Sequence, residues 1–273
     1  MTLPFEVVVV DNASADQSAD ALEMIHPLAR VVRNAENLGF AAACNQGLRL
    51  ARAPYALLIN SDAEVRPGAV EALVALLDAD SGIGVAGPRT LNADGTPQLS
   101  FGPDLVPFGE WRQRRLVRGV RRRAAAALRA VQASAERDHE PAWVSGSCML
   151  ARRTALESVG LFDETFFLYE EDVDLCLRLR KAGWRVVFAA GAEVFHRLGA
   201  SMETAPERSR LEYHRSHLRF YRKHNGKVLT GLLRLWLATS GALAWLGTAV
   251  RPNDRPEARS AALERLRLGL RGR

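Results

Sequence analysis

Four acids, Glu170, Glu171, Asp172 and Asp174, stand within five residues where an apolar helical period begins. Acids in a first helical turn are favoured by the macrodipole and need no chemistry, so the cluster reads equally as a helix start or as an active site. Its company favours the second reading. Upstream lie Val9-Val10-Asp11-Asn12-Ala13-Ser14, Asn37-Leu38-Gly39-Phe40 and Leu58-Ile59-Asn60-Ser61-Asp62, and downstream His196-Arg197-Leu198-Gly199-Ala200-Ser201. Taken singly, each has a plain structural role: Asp11 as an Asx-turn residue, Gly39 as a source of backbone freedom, His196 as a satisfied structural histidine.

The elements that must position these residues alternate. Phe5 to Val10 reads as a buried strand, followed by a helix with a Ser14/Gln17 capping box and an apolar face of Leu22, Ile25 and Leu28. Val31 to Arg33, Tyr55 to Asn60 and Val85 to Gly87 read as further strands. Between them lie a helix carrying Phe40, Cys44, Gly47, Leu48 and Ala51, and one starting near Pro67 with Val70, Leu73, Val74 and Leu77. Strands alternating with helices imply an α/β fold with a parallel sheet covered on both faces, which binds ligands at the carboxyl ends of its strands. Asp11 and Asp62 fall at such ends. The alternation lapses over 101–142, which reads as a surface insertion, and resumes with the strand and small-residue turn Trp143 to Leu150. A strand from Arg185 to Ala189 closes this part. Leu211 to His224 then reads as a basic helix, and Val228 to Val250 as a 23-residue apolar stretch broken by Arg234.

Bulk properties bound the function. A net charge of +6 and a pI near 9.7 suit an anionic partner. Cys44, Cys148 and Cys176 show no zinc spacing and read as buried thiols. The first residues lack the pattern of a secretory signal, so the catalytic part is expected in the cytoplasm.

The ordered set V-D-N-A-S, N-x-G-F-A-A-A-C-N, L-I-N-S-D, F-D-E-x-F-F-x-Y-x-E-D-x-D-L-C-x-R and H-R-x-G-x-S spans about Val7 to Ser201. It resembles the family 2 glycosyltransferases, most of all their rhamnosyltransferase-type members. The resemblance implies a GT-A fold, Rossmann-like with a mostly parallel sheet, and sugar transfer from a nucleotide diphosphate donor with inversion. Asp11 would bind the base, and Asn37, Gly39, Asn45 and Gly146 would lie near the donor. Asp62 would hold Mg²⁺ or Mn²⁺ together with His196, weakly, because Asn60 replaces the first acid of the family's D-x-D motif. Glu64 is expected to be a solvated loop acid. Asp172 would be the general base, with its anion favoured at a helix N-terminus and Leu175, Cys176 and Leu179 anchoring it. Glu171 would orient the acceptor, leaving Glu170 and Asp174 as first-turn acids. The family's strand and helix before V-D-N-A-S have no counterpart here, since only Thr2 to Phe5 precede the first strand. An unpaired edge inside the sheet and low stability are therefore expected.

Residues 1–205 are expected to form the transferase domain, with its insertion at 101–142, and 206–273 a helical membrane-associating region. Seven arginines between Arg112 and Arg123 suggest a surface facing anionic lipid. At about 1.5 Å per residue the apolar stretch reaches about 34 Å, enough to cross a hydrocarbon core of about 30 Å. An interfacial or bundle-packed helix competes with that reading. Either holds the protein, peripheral or anchored, at the inner face of the cell membrane, beside a lipid-linked or polysaccharide acceptor of cell-envelope glycan synthesis. The rival function is a catalytically inactive, basic membrane-surface or polyanion-binding protein on a decayed transferase fold. Nucleic acid is not expected as a partner, because no aromatics are interleaved in the arginine run.

Overall fold

The computed structural model describes residues 3–197, 206–250 and 256–272. The chain divides into two units, Met1–Thr165 with Glu171–Leu198, and Phe166–Glu170 with Gly199–Arg273. The Gly199 and Ser201 of the last motif lie outside the described residues.

In the first unit, strands β1 (Val8–Asp11) and β2 (Arg30–Arg33) pair in parallel. A separate five-stranded sheet runs β3 (Tyr55–Ile59), β8 (Cys148–Arg152), β5 (Ile83–Leu91), β9 (Arg185–His196), β4 (Ala63–Val65). β5 and β9 are parallel, whereas β8 runs antiparallel to both β3 and β5, and β4 antiparallel to β9. The sheet is therefore mixed rather than mostly parallel: β3, β5 and β9 run one way, with β8 inserted between the first two. Among the described residues, β1 pairs with β2 alone and β3 with β8 alone, so both present an open edge.

Strand periodicity explains how the five-stranded sheet is covered. Along β8 and β9, Met149, Ala151, Val186 and Phe188 join one core with Leu156 of α6 (Arg153–Ser158) and Leu175 and Leu179 of α7 (Glu171–Lys181). Leu150, Val187 and Ala189, one residue out of phase, join a second core with Leu73 and Leu77 of α3 (Ala69–Ala79). Alternate side chains point to opposite faces, and both faces are helix-covered. Helix α2 (Phe40–Leu50) adds Ala41 and Leu48 to the first core. The insertion holds β6 (Phe101–Gly102), which pairs with β7 (Trp143–Val144), then α4 (Pro107–Arg121) and α5 (Ala125–Ser134).

The first helix departs from expectation. α1 spans Ser18–Ile25, and Ser14 is not its cap; instead the Ser14 N–H donates to Asp11 Oδ1, three residues back. Of the expected apolar face Leu22 is half-buried, whereas Ile25 and Leu28 are 70% and 96% exposed.

The second unit contains α8 (Pro206–His224), α9 (Gly226–Val250) and α10 (Pro256–Arg271). The tail after Pro256 falls within the expected helical region and packs as α10 against α9. A Cβ on Gly241 would stand 2.5 Å from Leu266 N, and one on Gly269 2.4 Å from Ala238 N, so the contact requires glycine at both positions. Arg234, which interrupts the apolar run, donates to the Gly269 and Leu270 carbonyls at the end of α10. That use of a charge supplies orphan acceptors at a helix terminus.

Candidate active site

Strand ends and one tight turn assemble the site. Between β7 and β8 the chain turns through Ser145, Gly146 and Ser147. The Ser145 and Ser147 hydroxyls lie 3.1 Å apart, and the Ser147 N–H donates back to Ser145 Oγ at 3.2 Å. This turn holds two motifs at once. Its Gly146 N–H donates to Asp172 Oδ2 at 2.8 Å, and its Ser147 carbonyl accepts the Asn60 N–H at 2.9 Å. A Cβ on Gly146 would meet Phe40 Cε1 at 3.3 Å and Asp172 Cβ at 3.4 Å, so glycine lets the turn sit between the two side chains.

Asn60-Ser61-Asp62 joins β3 to β4, and His196 is the last residue of β9, which runs seven residues past its expected end. Register places Ala63 opposite His196, and the Arg197 N–H donates to the Asp62 carbonyl at 2.9 Å. Asp62 Oδ1 lies 3.1 Å from His196 Nε2, with Asn60 Nδ2 at 3.5 Å from the same nitrogen. Gln98 orients the ring from behind: its Oε1 lies 3.2 Å from Nδ1 and its Nε2 donates to the His196 carbonyl at 2.6 Å. Nothing in the sequence reading singled out Gln98; its approach depends on a chain reversal far from His196 in sequence. Glu64 is exposed on β4.

Asp172 sits one residue into α7 and is half-buried, with Leu175, Cys176 and Leu179 fully buried beneath it as expected. The other acids separate. Asp174 is 0% exposed and pairs with Arg178 at 2.7 Å; it is an internal ion pair rather than a first-turn ornament. Glu171 is 6% exposed. Glu170 precedes the helix, with a left-handed backbone. Burial pushes the Cys44, Cys148 and Cys176 thiols up to about 12, with the Glu171 and Asp172 charges adding to the effect at Cys44; none is a nucleophile.

At the β1 end, Asn12 organises the loop. Its Oδ1 accepts from Leu38 N–H and Asn34 Nδ2, and its Nδ2 donates to Asn37 Oδ1 and the Gly39 carbonyl. Asn37 also accepts from the Gly39 N–H, and Gly39 has φ 89°, which suits glycine at the cap of α2. Asp11, Asn37 and Gly39 thus lie together. Asn45 does not join them. It is 1% exposed, donates to the Phe162 carbonyl and Glu164 Oε1, and accepts the Phe162 N–H. Its amide brackets the Phe162–Glu164 segment. Hydrogen bonds from Asn45 and Arg49 hold the Glu164 carboxyl below its usual range.

For a divalent cation, Asp62 and His196 offer one oxygen and one nitrogen side by side. Among the described residues no group of three His, Cys, Asp or Glu side chains is placed to hold a metal. Two protein ligands fit a hard cation that completes its shell with substrate phosphates and water.

A model of "Glycosyl transferase family 2" matches residues 2–160, and one of "Glycosyl transferase family group 2" residues 102–251. An N-acetylglucosaminyl-diphospho-decaprenol L-rhamnosyltransferase of Mycobacterium tuberculosis is 32% identical over 245 residues, 82% of this chain and 76% of that protein. The solved mannosyltransferase PcManGT from Pyrobaculum calidifontis, in complex with GDP-Man and Mn²⁺, superposes with a TM-score of 0.55 at 18% identity, over 97% of this chain and 77% of that one. GalNAc-T7 with UDP, GalNAc and Mn²⁺ gives a TM-score of 0.53 at 15% identity over 97% of this chain, which spans 50% of the GalNAc-T7 chain.

Asn45→Ala removes three internal hydrogen bonds and leaves the Phe162 N–H and carbonyl without that bracket. Urea denaturation should show a loss of about 1–3 kcal/mol, while donor affinity of the folded protein stays within about twofold, an effect of under about 0.5 kcal/mol.

Proposed function

The chain belongs to glycosyl transferase family 2 and is a glycosyltransferase. From that premise we propose that it transfers a hexose from a nucleotide diphosphate donor to a lipid-linked acceptor by one inverting displacement, with Asp172 as general base. The observation that carries this is the Ser145–Ser147 turn, which bonds Asp172 on one side and the Asn60-Ser61-Asp62 segment on the other. A base and a diphosphate-binding segment must share a fixed geometry for in-line attack, and this turn couples them through two backbone hydrogen bonds.

Asp172 accepts the proton of the acceptor hydroxyl as the oxygen attacks the anomeric carbon. No enzyme nucleophile is required, because a single displacement inverts the centre. The Gly146 N–H fixes one carboxylate oxygen and thereby the rotamer of the base. Asp11, Asn37 and Gly39 fit the nucleoside end, and Gly146 the sugar. Asp62 and His196 would hold Mg²⁺ or Mn²⁺, an ion that draws charge off a leaving diphosphate; Mn²⁺ in the solved mannosyltransferase and in GalNAc-T7 supports that assignment. Glu171 borders the acceptor side. The named activity of the Mycobacterium tuberculosis relative supports rhamnose as the sugar and a polyprenyl-diphosphate-linked N-acetylglucosamine as the acceptor.

A lipid-linked acceptor requires approach to a membrane, and two features support one. On α4, Phe108 and Trp111 are 68% and 55% exposed and stack at 6.2 Å, with Arg112 over the Phe108 ring and Arg115 over the Trp111 ring. These aromatics stand one turn ahead of the arginine run, where the sequence reading did not look for them. Exposed aromatics beside arginines suit the boundary of an anionic leaflet. In the helical unit, Gly226–Thr248 is long and apolar enough to cross a membrane, with 22% of its most apolar window buried. We assign the enzyme to the inner face of the cell membrane on these grounds.

Asp172→Asn should cut transfer by at least about 10²–10⁴-fold with donor dissociation nearly unchanged; equal loss of both would refute the base. In vesicle sedimentation of the full chain, Phe108→Ser with Trp111→Ser should weaken binding to phosphatidylglycerol vesicles by at least about tenfold. Binding that is unaffected, or as strong to neutral phosphatidylcholine, would remove α4 from the membrane contact.

A further inference from the structure

The segment Phe166–Glu170 belongs with the helical unit, although the chain on either side belongs to the sheet unit. It ends where α7 begins, two residues before Asp172. Tyr169 and Glu170 have φ of 69° and 67°, a left-handed pair of non-glycine residues. Such backbone is strained and persists only where its surroundings over-determine it.

Helix α8 supplies those surroundings. Ser216 Oγ donates to the Leu168 carbonyl at 2.7 Å. His217 Nδ1 lies 2.8 Å from Glu170 Oε1, and since a carboxylate only accepts, the Nδ1–H donates. The Tyr169 ring meets Tyr213 edge-on at 6.0 Å, and Tyr213 stacks on the His217 ring at 5.5 Å and 16°. Phe166 is fully buried, with Arg219 and Lys223 over its ring. Ser216, His217 and Glu170 are 1%, 2% and 6% exposed. Burying a carboxylate and an imidazole is costly in desolvation, and the hydrogen bond between them offsets part of that cost.

We propose that His217 is a positioning residue for transfer: through Glu170 it locks the left-handed Tyr169–Glu170 pair, which fixes where α7 starts and hence where Asp172 points. This rests on Asp172 as the base. His217 touches neither donor nor acceptor in this role. Its effect is on the geometry of attack, so it belongs in kcat rather than in donor binding.

The test compares full-length His217→Ala, His217→Asn, His217→Gln, Glu170→Gln and Asp172→Asn, with dTDP-rhamnose and a polyprenyl-diphosphate-linked N-acetylglucosamine as probes. His217→Ala should lower kcat about ten- to hundredfold with donor KM within about twofold. His217→Asn, whose amide nitrogen matches Nδ1, should recover most of the rate, and His217→Gln, which matches Nε2, should not. Glu170→Gln keeps an acceptor and should stay within about fivefold of wild type. Wild-type kcat in His217→Ala overturns the proposal, as do equal rates for Asn and Gln at matched folded fraction, a comparison that decides even where the alanine variant does not fold. An active Asp172→Asn overturns the base and this proposal together, whereas an inactive Asp172→Asn beside a normal His217→Ala overturns the positioning alone.

Discussion

Two backbone hydrogen bonds from one three-residue turn hold the candidate site together. Gly146 N–H to Asp172 and Ser147 carbonyl to the Asn60 N–H tie the head of a helix to the end of a strand. The turn is itself fixed, because β8 follows it directly and pairs with β3 from Ile59 opposite Cys148 onward. β8 runs antiparallel between β3 and β5, which delivers the β7–β8 turn to the carboxyl end of β3, beside Asp62. The antiparallel strand that breaks the expected parallel sheet is thus the element that brings the Asp172 segment and the Asn60-Ser61-Asp62 segment to one turn.

The candidate site residues stood out in the sequence because most sit at a strand end or helix start marked by its own local signal. Asp62 and His196, 134 residues apart, meet at 3.1 Å, and Gly146 meets Asp172. What misled was local signal whose tertiary use differs. Asn45 has the spacing of a site residue but spends its amide on Phe162 and Glu164. Glu170 and Asp174 look alike as first-turn acids, yet one pairs with His217 and the other with Arg178, partners that only packing reveals. Ser14 caps no helix; its N–H bonds Asp11 instead, and α1 starts four residues later. The close approach of α10 to α9 at Gly241 and Gly269 left no local signal in the sequence.

The helical unit answers a different constraint. Its long apolar helix carries an arginine that ends up serving the C-terminus of a neighbour, and its glycines admit close helix approach. Close packing through small residues, with exposed Leu232, Leu235, Leu243 and Leu246 on the remaining surface, suits an environment less polar than water. The same unit holds the left-handed Tyr169–Glu170 pair.

The central claim is a single displacement at the anomeric carbon, driven by one carboxylate. The most direct test is the anomeric configuration of the product formed from dTDP-β-L-rhamnose and the polyprenyl-linked acceptor, read by NMR. Inversion to an α-linked product is the expected result; a β-linked product would require two displacements and an enzyme nucleophile, and would contradict it.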